Sequence, residues 1–450
     1  ASIPGVMLLL GVYCGSIYGG SITAILINTP GTPASAATSL DGYPMAQKGH
    51  GLRALHDALS ASTIGGLFSC AVLLFAAPPI ASFALKFGPA EYFALALFGL
   101  TIIASVGGKS QIKGLLMGFV GLLISCIGID PMDGVSRFTF GINRMEGGID
   151  TIPVLIGLFA VSEMLQQCET GMHASYSKDD TLEVKNNVKF SLLHDFKGQI
   201  INVFRSALLG TFMGILPGVG GSAASLIAYS QAKSWSKHPE LLGTGVPEGL
   251  IASETANNAT CGGALIPMLC LGVPGDTVTA ILMGGLIVHG ITPGPLLFTR
   301  NVDLVGVVFI GYLLCNIIMY VMEWGLMKGF IHLLRIPMNY LYPIILLMCA
   351  IGTYSTNNRI FDCWVFLAIG ILGYVLRKNQ IPLAPIVLGY VLGNIVETNL
   401  RTAIVSTQGD IMPWFSRPIS VAFLLAGIIM ICLPIIRTSL KRKKEEKAAQ

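Results

Sequence analysis

Long apolar runs recur from one end of the chain to the other, and they constrain its fold more than any other feature. Only 12% of the 450 residues are charged, against ~25% in a typical soluble domain. The runs predict an all-α polytopic membrane protein embedded in a lipid bilayer, because a helix satisfies its own backbone hydrogen bonds in lipid. The predicted spans lie near 58–77, 91–107, 112–129, 152–167, 199–216, 303–322, 339–353, 360–376, 382–397 and 418–436.

Basic residues in the short connections predict the orientation. The tail, 437–450, holds six lysines and arginines against two glutamates, and the positive-inside rule places such a tail in the cytoplasm. Counting back from it puts 377–378 inside and 290–302 outside. Counting the front half separately puts 48–53 and the polar stretch 169–198 inside. A nucleic-acid partner is not indicated, because this rule already accounts for the basic tail.

The two halves of the chain carry similar motifs in the same order. Residues 28–31 (Asn-Thr-Pro-Gly) match residues 272–275 (Gly-Val-Pro-Gly) 244 positions later (272 − 28). Residues 89–92 (Pro-Ala-Glu-Tyr) match residues 337–340 (Pro-Met-Asn-Tyr) 248 positions later (337 − 89). Two matches at nearly one offset indicate a duplication. Because the connection after the first motif is predicted inside and its counterpart at 290–302 outside, the repeats are predicted to have inverted topology.

The predicted organisation follows from this duplication. It consists of a first repeat (1–168), a cytoplasmic polar linker (169–198), a second repeat (199–436) and a basic cytoplasmic tail (437–450). A Gly-rich element at 216–222 precedes the second Pro-Gly motif. Its copy in the first repeat is expected before residue 1.

Gly, Pro and polar residues interrupt the apolar runs at 15–35, 217–225, 253–263 and 272–279. Non-helical backbone at membrane depth is tolerated only around a protein-lined cavity, and the N-terminus of a half-helix favours an anion. Broken, re-entrant helices from the two repeats are therefore predicted to meet near the membrane midplane. The alternative is that the small residues only allow close helix packing. The predicted substrate-binding residues are Asn28, Thr29, Pro30, Gly31, Thr32, Ser35, Gly220, Ser222, Pro274, Gly275, Thr277 and Thr279.

A second polar cluster occupies 253–260 and includes Glu254. Hydroxyls and amides at this density offer neutral oxygen ligands to a hard cation such as sodium, and an ionisable residue at membrane depth indicates function. The alternative is a polar network between helices. The predicted sodium ligands are Ser253, Asn257, Asn258 and Asp276.

Other site chemistries find little support in the sequence. The ten cysteines show no paired or metal-binding spacing. No spacing indicates a nucleophile with its base or a pair of catalytic carboxylates. We therefore expect no catalytic residues, no enzyme activity and no cofactor beyond a coupling ion.

Together these motifs resemble a known family, the large membrane subunit of the tripartite tricarboxylate transporters (TctA-type), over nearly the whole chain. The resemblance implies a subunit of the bacterial inner membrane that imports small di- or tricarboxylates by alternating access, with sodium as the expected coupling ion. It also implies a small membrane subunit (TctB-type) and a periplasmic substrate-binding protein (TctC-type) as partners. An uncoupled anion channel is the alternative function. The segments that carry the resemblance are 18–21, 28–33, 41–44, 86–92, 137–141, 214–218, 254–258, 271–275 and 289–295.

Overall fold

Helices dominate the computed structural model, which describes residues 2–28, 30–106, 111–130, 132–169, 196–333, 338–410 and 412–432. Within these ranges the only strands are β1 (Gly128–Ile129) and β2 (Ser136–Arg137), which pair antiparallel. The predicted all-α class is therefore confirmed. Some parts of the predicted organisation lie outside the described residues, namely Thr29, position 337, most of the linker and the basic tail.

The helices are numbered in chain order. A 3-10 turn (Pro33–Ser35) precedes α2, and π-helical turns (Ala46–His50 and Gly157–Val161) join α2 to α3 and α6 to α7. The α-helices are α1 (Ser2–Ile27), α2 (Ala36–Met45), α3 (Gly51–Ala84), α4 (Pro89–Val106), α5 (Gln111–Ser125), α6 (Thr151–Ile156), α7 (Ser162–Glu169), α8 (Ile200–Ile215), α9 (Gly220–Trp235), α10 (Pro247–Leu271), α11 (Thr277–Val288), α12 (Leu297–Arg300), α13 (Val302–Leu333), α14 (Met338–Asn357), α15 (Ile360–Lys378), α16 (Ala384–Ser406), α17 (Met412–Phe415) and α18 (Pro418–Cys432).

Five helical segments of the described residues are long and apolar enough to cross a membrane, as a membrane protein requires. One of them lies in α1, which is absent from the predicted spans because Gly and Ser residues dilute its apolar run. The five segments are Ile3–Leu26, Pro33–Ala84, Thr151–Glu169, Val302–Met327 and Ile360–Lys378.

The chain forms two compact units, and each draws on both predicted repeats. The first unit contains the described residues of 1–85 and 171–343, and the second contains those of 86–170 and 344–450. The boundaries of the compact units therefore differ from those of the predicted repeats. The duplication itself stays a prediction from the sequence.

In the first unit, α10 is the central helix, and every residue from Gly249 to Cys270 is buried. Helices α3 and α8 approach its backbone closely because they present glycines to it. A Cβ on Gly65 of α3 would overlap the carbonyl oxygen of Thr255, and one on Gly210 of α8 would overlap that of Ala256. Small residues allow this approach without a large apolar side chain in between.

The second unit is packed by the same rule around α16. A Cβ on Gly121 of α5 would overlap the carbonyl oxygen of Ile386, and one on Gly389 of α16 would overlap that of Gly118. Helix α15 packs against the 157–161 turn, where Gly157 lies against the Phe366 carbonyl. Close backbone contact between helices is thus common to both units.

The predicted interruptions are wrong in part. Residues 15–27 lie in α1, 220–225 lie in α9 and 253–263 lie in α10, and all of these segments are helical. Their Gly and polar residues keep helical backbone because neighbouring helices pack on the glycines and donate hydrogen bonds to the polar side chains. The helices are broken at 28 and 30–32, at 216–219 and at 272–276.

Candidate functional site

The first Pro-Gly motif forms a tight turn after the end of α1, called the first turn (the described residues 28 and 30–35). Asn28 is left-handed with φ 54°, and the N–H of Gly31 donates to the carbonyl of Gly20 at 3.1 Å. A Cβ on Gly31 would lie 2.8 Å from the Cα of Gly20, so only glycine fits there. Thr32 caps the following helical turn: its Oγ1 accepts from the N–H of Ser35, whose hydroxyl accepts from the N–H of Thr32.

The second Pro-Gly motif forms the second turn (272–279) after the end of α10. Gly272 is left-handed with φ 70°, and a Cβ on Gly275 would lie 2.7 Å from the Cα of Ala264. Asp276 caps α11, because its Oδ1 accepts from the N–H of Thr279 at 2.7 Å. The N–H of Asp276 donates in return to the Thr279 hydroxyl at 2.9 Å.

The two turns share their construction position by position. Each has a left-handed residue, a glycine packed on the preceding helix and a reciprocal cap. The equivalent residues are 244 apart (272 − 28, 275 − 31, 276 − 32 and 279 − 35), which is the offset between the two sequence motifs. The local geometry therefore repeats along with the sequence.

The start of α9 contacts both turns. The N–H of Gly218 donates to the carbonyl of Gly275 in the second turn at 2.6 Å. The Ser225 hydroxyl donates to the carbonyl of Ala34 in the first turn at 2.8 Å. The N-cap of α9 is Val219, whose apolar side chain cannot cap the first N–H groups. The helix N-terminus thus stands between two turns with its dipole available to an anion.

Asn257 of α10 reaches the same place. A Cβ on Gly221 would lie 2.7 Å from Asn257 Oδ1 and 3.1 Å from the Cβ of Ala34. Asn257 is 1% exposed, and neither of its amide atoms has a hydrogen-bond partner among the described residues. A buried polar group without a partner costs about 1–3 kcal/mol. This amide is the one polar group of the site that the fold leaves unsatisfied within the described residues.

The predicted substrate-binding residues divide by what their side chains do. Asn28, Pro30 and Gly31 are exposed, and Thr32, Gly220, Ser222 and Thr277 are half-buried. Pro274 and Gly275 are buried in the second turn. The hydroxyls of Ser35 and Thr279 are buried and are engaged in the two caps. These two residues shape the turns, whereas the half-buried set lies at the start of α9, α11 and the 3-10 turn.

Three of the four predicted sodium ligands are engaged in separate hydrogen bonds. The Ser253 hydroxyl donates to the carbonyl of Leu250 at 3.0 Å. The amide of Asn258 donates to the carbonyl of Glu254 at 3.2 Å. Asp276 is bound to Thr279 in the second turn. Only Asn257 keeps its side chain free of such bonds within the described residues.

The structure adds a buried carboxylate that was not among the predicted site residues. Asp41 of α2 is fully buried, and its Oδ1 accepts from the N–H groups of Gly243, Gly245 and Val246 at 2.9–3.2 Å. Its Oδ2 accepts from the Tyr229 hydroxyl at 3.0 Å. Asp41 therefore holds the segment that leads into α10. The pattern Asp-Gly-Tyr-Pro at 41–44 was its only sequence signal.

The sequence of the chain is similar to proteins of one known family. The model of a family described as the tripartite tricarboxylate transporter TctA family matches residues 1–388. An uncharacterized 52.8 kDa protein in the TAR-I ttuC' 3' region of Agrobacterium vitis is 38% identical over 446 residues, or 98% of this chain and 87% of that protein. An uncharacterized protein in the TAR-II ttuC' 3' region of the same organism is 35% identical over 237 residues, covering 53% of this chain and 98% of that protein. No solved structure matches.

Proposed function

We propose, since the chain belongs to the tripartite tricarboxylate transporter TctA family, that it carries small di- or tricarboxylates across the bacterial inner membrane by alternating access. It acts as a transporter and not as an enzyme. The observation that carries the proposal is the convergence of both turns and the unsatisfied Asn257 amide on the start of α9.

A carboxylate fits this place for electrostatic reasons. The first N–H groups of α9 carry the positive end of the helix dipole, which stabilises an anion by about 0.3–1 kcal/mol at an exposed site and up to ~2 kcal/mol when partly buried. The Asn257 Nδ2 group can donate a hydrogen bond, because no atom of the described residues accepts one from it. The hydroxyls of Thr32 and Thr277 are half-buried at the two flanking turns. A molecule with two or three carboxylates could engage more than one of these donors at once.

Alternating access is supported by the repeated geometry of the two turns. Equivalent turns in repeats of opposite topology would face the cargo from opposite sides of the membrane, so exchanging their conformations would exchange the open side. We propose this inverted arrangement, with both turns near the midplane, as the mechanism. We also propose that the basic tail is cytoplasmic, as the charge pattern of the connections predicts.

The proposed coupling ion and partners are those that the family resemblance implies. We propose that a sodium gradient drives uptake. Ser253, Asn257, Asn258 and Asp276 stay the ligands predicted from the sequence alone, and three of them already hold hydrogen bonds within the chain. A small TctB-type membrane subunit and a periplasmic TctC-type binding protein complete the system. The binding protein would deliver the carboxylate to the outward-facing site.

Uptake into proteoliposomes tests this function. The chain is reconstituted with its small membrane subunit, and labelled di- and tricarboxylates are added with the cognate binding protein under an inward sodium gradient. Asn257→Ala should raise the half-saturating substrate concentration about tenfold, the loss of one hydrogen bond to a charged group. Its thermal stability should not fall, because the amide has no partner to lose.

The matched control is Asn379→Ala, since Asn379 is an exposed residue at the end of α15 whose amide only bonds its own helix. Unchanged uptake by Asn257→Ala would contradict the placement of the cargo. Equilibration of the carboxylate without sodium and without the binding protein would instead indicate an uncoupled pore.

A further inference from the structure

A closed group of oxygen atoms surrounds Glu254 at the centre of the first unit. Its Oε1 accepts from the hydroxyls of Ser21 at 2.7 Å and of Thr38, and its Oε2 accepts from the hydroxyl of Ser62 at 2.8 Å. The amide nitrogen of Asn258 lies 3.5 Å from Oε2. Glu254 and the three hydroxyl residues are each 0% exposed. The group joins α1, α2 and α3 to α10.

The charge of this carboxylate has no protein counterpart. Among the described residues, Glu254 forms hydrogen bonds only with neutral groups, and no lysine, arginine or histidine pairs with it. The titratable side chains that interact with it electrostatically, Tyr18 and Cys261, are uncharged in neutral water. An ionised group buried without a charged partner costs several kcal/mol. A positive charge from outside the chain would remove that cost.

The number and type of atoms distinguish a metal cation from a proton. A proton needs one acceptor and one neighbour, whereas five oxygens from four helices converge here, namely two of the carboxylate and three hydroxyls. Hard cations take about six oxygen ligands, with carboxylates and neutral oxygens in the same shell. A serine or threonine hydroxyl rotates freely, so each can turn its proton away and present a lone pair to a cation.

We propose that Glu254, Ser21, Thr38 and Ser62 form a binding site for sodium. The inference rests on the proposed carrier function in one respect, since it assigns the coupling ion of that function to these four residues in place of the ligands predicted from the sequence. The ion would neutralise Glu254 and hold α1, α2 and α3 against α10.

The site is connected to the carboxylate site through two short paths. Ser21 follows Gly20, whose carbonyl accepts the N–H of Gly31 in the first turn. Glu254 precedes Asn257 by one helical turn of α10. Sodium binding would therefore order both the first turn and the helix face that carries the free amide, so that the empty cation site weakens binding of the carboxylate.

Sodium binding to the purified full chain tests the assignment without transport. Binding of radioactive ²²Na⁺ and the sodium-dependent rise in melting temperature are measured against choline chloride at equal ionic strength, at pH 6 and at pH 8. Glu254→Gln should abolish both signals, because glutamine keeps the shape and loses the charge. Ser62→Ala should raise the half-saturating sodium concentration about tenfold, the effect expected from losing one ligand to a charged group.

The matched control is Thr63→Val, since Thr63 is the neighbouring residue of α3 and its hydroxyl donates to the Leu59 carbonyl of its own helix. Its sodium affinity should equal that of the wild type, and Ser62→Ala provides the test if Glu254→Gln does not fold. Wild-type sodium binding in Glu254→Gln or in Ser62→Ala would overturn the proposal. So would a wild-type protein whose melting temperature responds to pH and not to sodium, since Glu254 would then bind a proton.

These outcomes are separable from those of the carrier function. Intact sodium binding with no carboxylate uptake would contradict the proposed function and leave the site standing. Uptake driven by another gradient, with no sodium binding, would contradict the site and leave the carrier standing.

Discussion

The two compact units differ in how they hold their buried carboxylates, although Asp57 of the first unit is paired with Arg53. In the first unit, Glu254 and Asp41 are fully buried and are met by hydroxyl and backbone N–H donors. In the second unit, the buried carboxylates are paired with arginines: Asp362 with Arg359, and Asp130 with Arg401 and Arg137. Among the described residues, the other arginine and lysine pairs of the second unit are Arg137–Glu397, Arg359–Asp150, Arg377–Glu163, Lys378–Glu169, Arg401–Asp133, Arg401–Glu397 and Arg417–Glu91.

The difference indicates two roles for a buried carboxylate. A carboxylate paired with arginine is neutralised inside the fold, and such a pair needs nothing further. A carboxylate held only by neutral donors keeps a net charge in a buried place, which is costly unless a ligand compensates it. We infer that the first unit handles the cargo and the coupling ion, while the second unit is stabilised by its own ion pairs.

The largest effect is expected at Asp41, a buried carboxylate of the first unit that neutral donors hold, and it tests the difference between the two units. Asp41→Ala leaves three backbone N–H groups and the Tyr229 hydroxyl without their acceptor, at a cost of about 3 kcal/mol or more. Asp41→Asn keeps one acceptor oxygen and should cost less. Asp133→Ala, which removes an exposed partner of Arg401 in the second unit, should change stability by no more than about 1 kcal/mol.

Melting temperatures and denaturant midpoints of the purified variants in one detergent measure these changes. Equal losses in Asp41→Ala and Asp133→Ala would show that the neutral donors of the first unit are no more important than a surface ion pair.

An intermediate effect is expected from the glycines at close helix contacts, a feature that both units share. Gly65→Ala places a methyl group on the Thr255 carbonyl and should cost about 1–3 kcal/mol by overpacking, and Gly121→Ala should cost a similar amount against Ile386. The control is Gly15→Ala in α1, where nothing lies within 4 Å of the added Cβ. It should be neutral or stabilise by up to about 1 kcal/mol, the difference in helix propensity.

Thermal unfolding of the three glycine variants is the measurement. If Gly121→Ala were tolerated while Gly65→Ala was not, close helix packing would be required in the first unit only. That result would add a second difference between the two units.

The smallest effect is expected from acid on the second unit. The Met132 N–H and the Arg401 guanidinium lower the pKa of Asp130, which follows β1, to about 2, from an unfolded value of about 3.9. Because the folded pKa is the lower one, this group stabilises the fold above about pH 4, and the contribution is lost as the pH falls towards about 2.

Melting temperature followed from pH 5 to pH 2 measures this loss. Asp130→Asn should have a shallower slope than the wild type over that range and the same behaviour from pH 5 to pH 8. A wild-type slope in Asp130→Asn would show that Asp130 does not contribute to the loss of stability in acid.

Much of the fold and part of the site followed from local sequence. The helical class, the positions of the two Pro-Gly turns and their 244-residue offset were predicted, because hydrophobic length and the backbone limits of Pro and Gly act within a few residues. The helical state of 253–263 was not predicted. Polar residues there indicate a break when read alone, but the hydroxyls of other helices satisfy Glu254.

By itself the sequence determined a helical membrane protein with two similar turns, since those features depend on side-chain hydrophobicity and on backbone conformation at single positions. Only the tertiary structure decided which polar groups meet. Ser21, Thr38 and Ser62 are unremarkable in sequence, and each lies about two hundred residues from Glu254 (254 − 21, 254 − 38 and 254 − 62). The local sequence around a serine or threonine does not show whether its hydroxyl bonds its own helix or a distant carboxylate. The packing of the helices decides which of the two partners it meets.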